Sequence, residues 1–137
     1  MWKYYALLSA FFAALTAICS KLGVKDIDPN LATAVRVAFI LFLVWGVVLF
    51  QGAISDVRTL DSRSLLFLLL SALTTGLSWL FYFQALACGD VSRVAPLDKL
   101  SVPLVILLSF LLLGEPLGWK VIIGGSLITA GSLVLLL

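Results

Sequence analysis

Apolar residues run nearly unbroken for about twenty positions at a time, five times along the chain. A hydrocarbon layer about 30 Å thick is crossed by roughly 20 helical residues. The five runs, near residues 4–22, 31–50, 65–87, 94–113 and 117–137, therefore predict five membrane-spanning helices. The segments between them carry helix-ending chemistry. Residues 23–30 (GVKDIDPN) form a turn, with Pro29 placed to start the second span. Residues 51–64 make the longest polar loop and hold Gly52, Asp56, Arg58, Asp61 and Arg63. Gly89 and Asp90 close the third span, and Gly114, Glu115 and Pro116 predict a very tight turn before the fifth. None of these connections is long enough to fold separately. Residues 1–137 predict one all-α domain, a five-transmembrane-helix bundle, with no internal repeat.

Composition agrees. Of 137 residues, 63% are hydrophobic and 12% charged, and the mean hydropathy is +1.21. A soluble domain has about a quarter of its residues charged. Half that share cannot solvate an exterior in water, so lipid is the expected solvent for most of the surface. The net charge of +2 is too small to argue for nucleic acid. Histidine is absent, which removes the commonest metal ligand and neutral-pH proton carrier. Cys19 and Cys88 have no C-x-x-C spacing and are expected as small packing residues, so no metal or cofactor is predicted. Lys3 precedes an apolar run, but no small-residue cleavage site follows it.

An odd number of spans puts the termini on opposite sides. Lys3, Arg58, Arg63 and Lys120 fall on the N-terminal side, four in all, against Lys21, Lys25, Arg36, Arg93 and Lys99, five, on the other. Positive residues normally fix orientation by their asymmetry. Four against five is close to balance, which points to dual topology: copies inserted both ways and paired antiparallel. The competing reading is that strongly placed charges such as Arg58 and Arg63 decide a single orientation.

Four ionisable residues lie inside or just within the ends of spans: Lys21, Arg36, Asp98 and Lys99. Each costs a few kcal/mol at the bilayer centre and less near an interface, where long side chains snorkel. All belong to the C-terminal side and are expected to form one polar layer. Asp98 and Lys99 are adjacent, so a regular helix points them about 100° apart. Each is then expected to meet a partner from another helix, with Asp98 paired to Arg36 or Lys21. The competing reading is snorkelling, which suits Lys21 better than the shorter Asp98. The third span adds Thr75, Trp79 and Tyr82 on one face. Trp79 lies too deep for an interfacial belt, so a cavity-lining aromatic face is the sharper reading. The fifth span is rich in small residues, with Gly125, Thr129 and Ser132 on one face. Packing within the chain and an interface with a second copy explain that face equally well.

From Trp79 onward the chain resembles the EamA family of the drug/metabolite transporter superfamily. The motif W-x-x-Y-x-x-A-L matches at Trp79, Tyr82, Ala85 and Leu86, followed by Pro96, Pro103 and an L-L-G-E ending at Gly114 and Glu115. Lys21-x-Gly23 and an early Arg36 fit the front half, and R-V-A-P-L-D-K-L-S-V looks like the small single-repeat members. Most relatives carry ten helices as two inverted five-helix repeats, and this chain has one. The resemblance implies a secondary transporter of small polar metabolites, working as an antiparallel homodimer by alternating access in the plasma membrane. It implies substrate contacts at Trp79, Tyr82, Thr75, Lys99 and Ser101, and gating or coupling at Asp98, Arg36 and Lys21. Pro96, Pro103, Gly114, Glu115 and Gly125 would be structural, with Glu115 capping the start of the fifth helix.

The alternative is a non-transporting assembly or accessory subunit. An enzyme is not expected, because no nucleophile–base arrangement or metal cluster is present and the loops cannot build a soluble site. Dual insertion has a direct readout: C-terminal reporters active only in the cytoplasm and only outside it should both give signal. Signal from one side alone would contradict it.

Overall fold

A computed structural model describes residues 1–137, with the side chain of Asp56 outside the described residues. Every regular element among the described residues is helical: α1 (Trp2–Gly23), α2 (Pro29–Phe50), a 3₁₀ turn (Ala53–Thr59), α3 (Ser62–Cys88), α4 (Val91–Asp98), α5 (Ser101–Leu108), a π turn (Ser109–Leu113) and α6 (Trp119–Val134). Three helices of 22, 22 and 27 residues, and the 23-residue stretch Val91–Leu113, are long and apolar enough to cross a membrane. At 1.5 Å per residue the shortest of these reaches about 33 Å. No more than 11% of the most apolar window of any of them is buried. Phe42, Phe81 and Leu112 are each more than 70% exposed, so the outward faces require lipid or another apolar surface.

The helix ends follow local chemistry. The Asp28 carboxylate accepts hydrogen bonds from the backbone N–H groups of Asn30 (2.9 Å) and Leu31 (3.0 Å), and Pro29 opens α2 as expected. Gly52 adopts φ 70° just beyond α2, a left-handed conformation that favours glycine. Asp61 accepts from the Ser64 N–H at 3.3 Å at the start of α3, and hydrogen bonding from Ser64 holds its carboxyl below the usual range.

Two expected boundaries are corrected. The fourth span, expected as a continuous helix over 94–113, starts at Val91 and breaks at Lys99 and Leu100. Pro103 explains the position of the break. It has no N–H to give the Lys99 carbonyl, and its ring crowds that same carbonyl. The Lys99 carbonyl accepts instead from the Val102 N–H at 2.9 Å. The fifth helix, expected over 117–137, is confined to Trp119–Val134, 16 residues or roughly 24 Å. Gly118 is extended (φ −69°, ψ 148°) and the chain turns out of the helix after Val134. Consequently Glu115 lies too far upstream to cap α6, whose N-cap is Gly118 with no side-chain bond. Gly114 does turn the chain as expected, at φ 67°.

Internal packing divides the chain into two compact units, Met1–Ile18 with Cys88–Leu137, and Cys19–Ala87. In the first, α6 lies on α4 and α5. Ser132 donates its hydroxyl to the Pro96 carbonyl at 2.9 Å, and both Ser132 and Gly125 are buried. Thr129 is half-buried and donates to the Gly125 carbonyl of its own helix. The small-residue face of α6 is therefore used for packing within the chain. In the second unit, Ser20, Val24, Ala32, Thr33, Phe83 and Leu86 are buried. Cys19 and Cys88 are free and exposed rather than packed.

A Cβ on Gly125 would stand 2.9 Å from the Ile106 Cδ1, the movable tip of a side chain. Gly125→Ala should accordingly cost little. Gly125→Leu should destabilise by about 1–3 kcal/mol through overpacking, seen as a lower detergent-solubilised melting midpoint. Ile106→Ala should restore part of the loss.

Candidate substrate-binding site

Arg36 lies seven residues past the start of α2, about 10 Å along the helix. Trp79 is nine residues before the end of α3, roughly 14 Å in. Their side chains meet. The Arg36 guanidinium carbon is 4.3 Å from the Trp79 ring centroid and 5.6 Å from that of Phe83. Tyr82 is close enough to interact with Arg36 electrostatically. Phe83 is only 3% exposed, whereas Arg36, Trp79 and Tyr82 are half-buried. About one and a half turns nearer the helix ends, the Gln84 side-chain amide donates to the Asn30 side-chain amide oxygen at 3.4 Å. The pairing of α2 and α3 is thus antiparallel, with the start of one beside the end of the other.

The energetics explain why aromatic rings surround this cation. An arginine at the centre of a spanning helix costs about 2.5–3.5 kcal/mol on insertion scales. A cation over an aromatic face recovers about 0.5–2 kcal/mol. The rings offset part of the cost and supply no hydrogen-bond acceptor. Among the described residues, no carboxylate and no hydrogen-bond acceptor is matched to Arg36.

Lys21, in the last turn of α1, donates from Nζ to the Leu86 carbonyl at 2.5 Å. That carbonyl belongs to the final turn of α3, where helical partners are missing and a positive charge is favourable. Lys21 thereby closes α3, a role that its sequence position did not suggest.

In the other unit, Asp98 and Lys99 form an ion pair of 3.4 Å, with both side chains exposed. The expectation that these neighbours cannot neutralise each other is overturned: Lys99 keeps a right-handed helical backbone (φ −71°, ψ −4°), and its long, exposed side chain reaches back to Asp98. Asp98 is seven residues, about 10 Å, from the start of α4. That is deeper than the one turn expected. Ser101 opens α5 and is exposed. The substrate-contact residues expected from the sequence thus divide between the two units: Trp79 and Tyr82 gather around Arg36, with Thr75 exposed one turn along α3, while Lys99 and Ser101 flank the break. Phe83 was missed. Its signal was its position four residues after Trp79, on the same helix face, where Tyr82 was chosen instead.

The groove between α5 and α6, about 440 Å³ and lined by residues including Pro103, Ile106, Gly125 and Thr129, is almost wholly apolar. It offers a polar solute little. No group of three or more potential metal ligands occurs among the described residues.

A Sinorhizobium protein described as an uncharacterized transporter in the cobO 3′ region is 46% identical over 134 residues, which covers 98% of this chain and 95% of the relative. No solved structure matches. The chain, all-helical with long apolar spans, matches the EamA-like transporter family over residues 1–137, and it belongs to that family.

Proposed function

We propose that this chain is a secondary transporter of small polar metabolites, acting in the plasma membrane as an antiparallel homodimer by alternating access. The observation that carries the reading is the break in the fourth span at Lys99 and Leu100, set beside a charged pair deep within an otherwise apolar stretch. Transporters place substrate and ion sites at discontinuous helices near the bilayer midplane, where unwound backbone and helix ends face a cavity. Here the turn tightens, with the N–H groups of Lys99, Leu100 and Val102 each donating three residues back. The family supports the transport reading, and the length of the Sinorhizobium relative matches a single repeat.

In this reading α6 and its apolar flanks, residues 117–137, make a fifth crossing. One five-span repeat supplies half of a pathway, and a second copy inserted the other way supplies the inverted half. The balanced positive charges support such pairing. Trp79, Tyr82, Thr75, Lys99 and Ser101 contact substrate, and Asp98, Arg36 and Lys21 serve gating or coupling.

Replacing Asp98 by Asn tests the gating role. In proteoliposomes, counterflow of labelled amino acids and their derivatives should fall at least tenfold in the Asp98→Asn protein, with its melting midpoint and particle size unchanged. Parental flux in this variant would sink the gating assignment.

A further inference from the structure

The charged groups expected inside the spans differ in how their bonding capacity is used. Lys99 faces Asp98, and Lys21 donates to the Leu86 carbonyl. Arg36 is held by rings: Trp79 at 4.3 Å and Phe83 at 5.6 Å. A guanidinium has five N–H donors and no acceptor. An aromatic face attracts its charge but offers no lone pair to those donors. Among the described residues, none of the five is matched. A cation fixed in position by rings, inside an apolar span, with its donors unspent, is the complement of an oxyanion.

We propose that Arg36 is the anchor for the carboxylate or phosphate of a small organic anion, and that such anions are the substrate class of this transporter. The assignment rests on the transport reading above, narrows it from polar metabolites to anionic ones, and gives Arg36 a substrate-binding role in place of gating or coupling. The planar fork of arginine fits the two oxygens of a carboxylate or phosphate in parallel. Packing against a ring restricts the guanidinium before ligand arrives, so less freedom is lost on binding. Phe83 is buried and Arg36 is half-buried, so the rings do not enclose the guanidinium on every side. Trp79 and Tyr82 provide apolar and hydroxyl surface beside the charge for the rest of the molecule.

A lipid headgroup phosphate has the same chemistry. The direction of the Arg36 side chain favours a soluble anion. Snorkelling would carry the guanidinium toward the start of α2, which lies beside the end of α3. Arg36 is instead nearer to Trp79 than to Phe83, and Trp79 is the deeper of the two along α3.

Trp79 lets the site report on itself. In a Trp2→Phe, Trp45→Phe, Trp119→Phe protein in nonionic detergent, iodide and acrylamide quenching of the remaining fluorescence are compared at constant ionic strength. Iodide should quench at least threefold more strongly than in the same protein carrying Arg36→Gln, while neutral acrylamide quenches both alike. Acetate or inorganic phosphate should suppress the excess. Equal iodide quenching with and without Arg36 would overturn the proposal. Suppression by a few equivalents of phosphatidylglycerol, but not by acetate or phosphate, would assign the site to lipid and also overturn it. If Arg36→Gln fails to fold, Arg36→Lys decides, with the excess read as the ratio of iodide to acrylamide quenching: retention of at least half of it supports an anion site, and its loss in a folded protein refutes it. The measurement requires no transport, so a flat iodide response beside intact flux fails this assignment alone. An iodide response without flux fails the transport reading instead.

Discussion

Inside a hydrocarbon layer a polar group has no water to return to, so every charge and every interruption of a helix must be met by protein or by ligand. The polar features of this chain can be followed by asking what meets each one. The Pro96 carbonyl, inside α4, accepts from Ser132 of α6. The Leu86 carbonyl, in the last turn of α3, accepts from Lys21. Asp98 and Lys99 meet each other through the long lysine side chain. Thr33, Thr74 and Thr129 return their hydroxyls to carbonyls one turn back in their own helices. Arg36 differs, since rings meet its charge and nothing described meets its donors.

The same constraint bears on the surface. The long helices are buried over a small fraction of their length, and large apolar side chains face outward along all of them. Lipid accepts such faces without cost, so exposure does not by itself demand a partner. The demand comes from function. On the proposed function, alternating access needs a counterpart that exchanges conformations with the repeat. The small-residue face of α6 is already engaged with α4 and α5 within the chain. In the proposed dimer, the outward apolar faces of the long helices are therefore better candidates for the contact between copies.

Much of the fold was legible in the sequence because hydropathy and helix-ending residues act locally. The spans near 4–22, 31–50 and 65–87 appear at nearly those positions, and Asp28 with Pro29 starts α2 as their chemistry requires. The fourth span was harder. A twenty-residue hydropathy window averages over one lost hydrogen bond, so the break at Lys99 was hidden although Pro103 was in view. The Asp98–Lys99 pair was hidden as well. The length of α6 turned on the extended backbone at Gly118, a choice that composition does not dictate. At the site, Trp79 and Arg36 were singled out separately by their depth. Their contact depends on the antiparallel register of α2 and α3, which neither helix encodes alone, and the same register brought in Phe83.

The central claim is that one repeat is half of a transporter completed by an inverted copy. Tandem fusions measure this directly, because the five spans proposed for each copy would invert the second copy when the two are joined end to end. Particle mass by light scattering in detergent should show a closed two-repeat particle for the direct fusion. A fusion with one extra spanning helix in the linker, which forces the copies parallel, should give larger assemblies as each repeat seeks its partner elsewhere. A closed two-repeat particle from the parallel fusion, with larger assemblies from the direct one, would contradict the account.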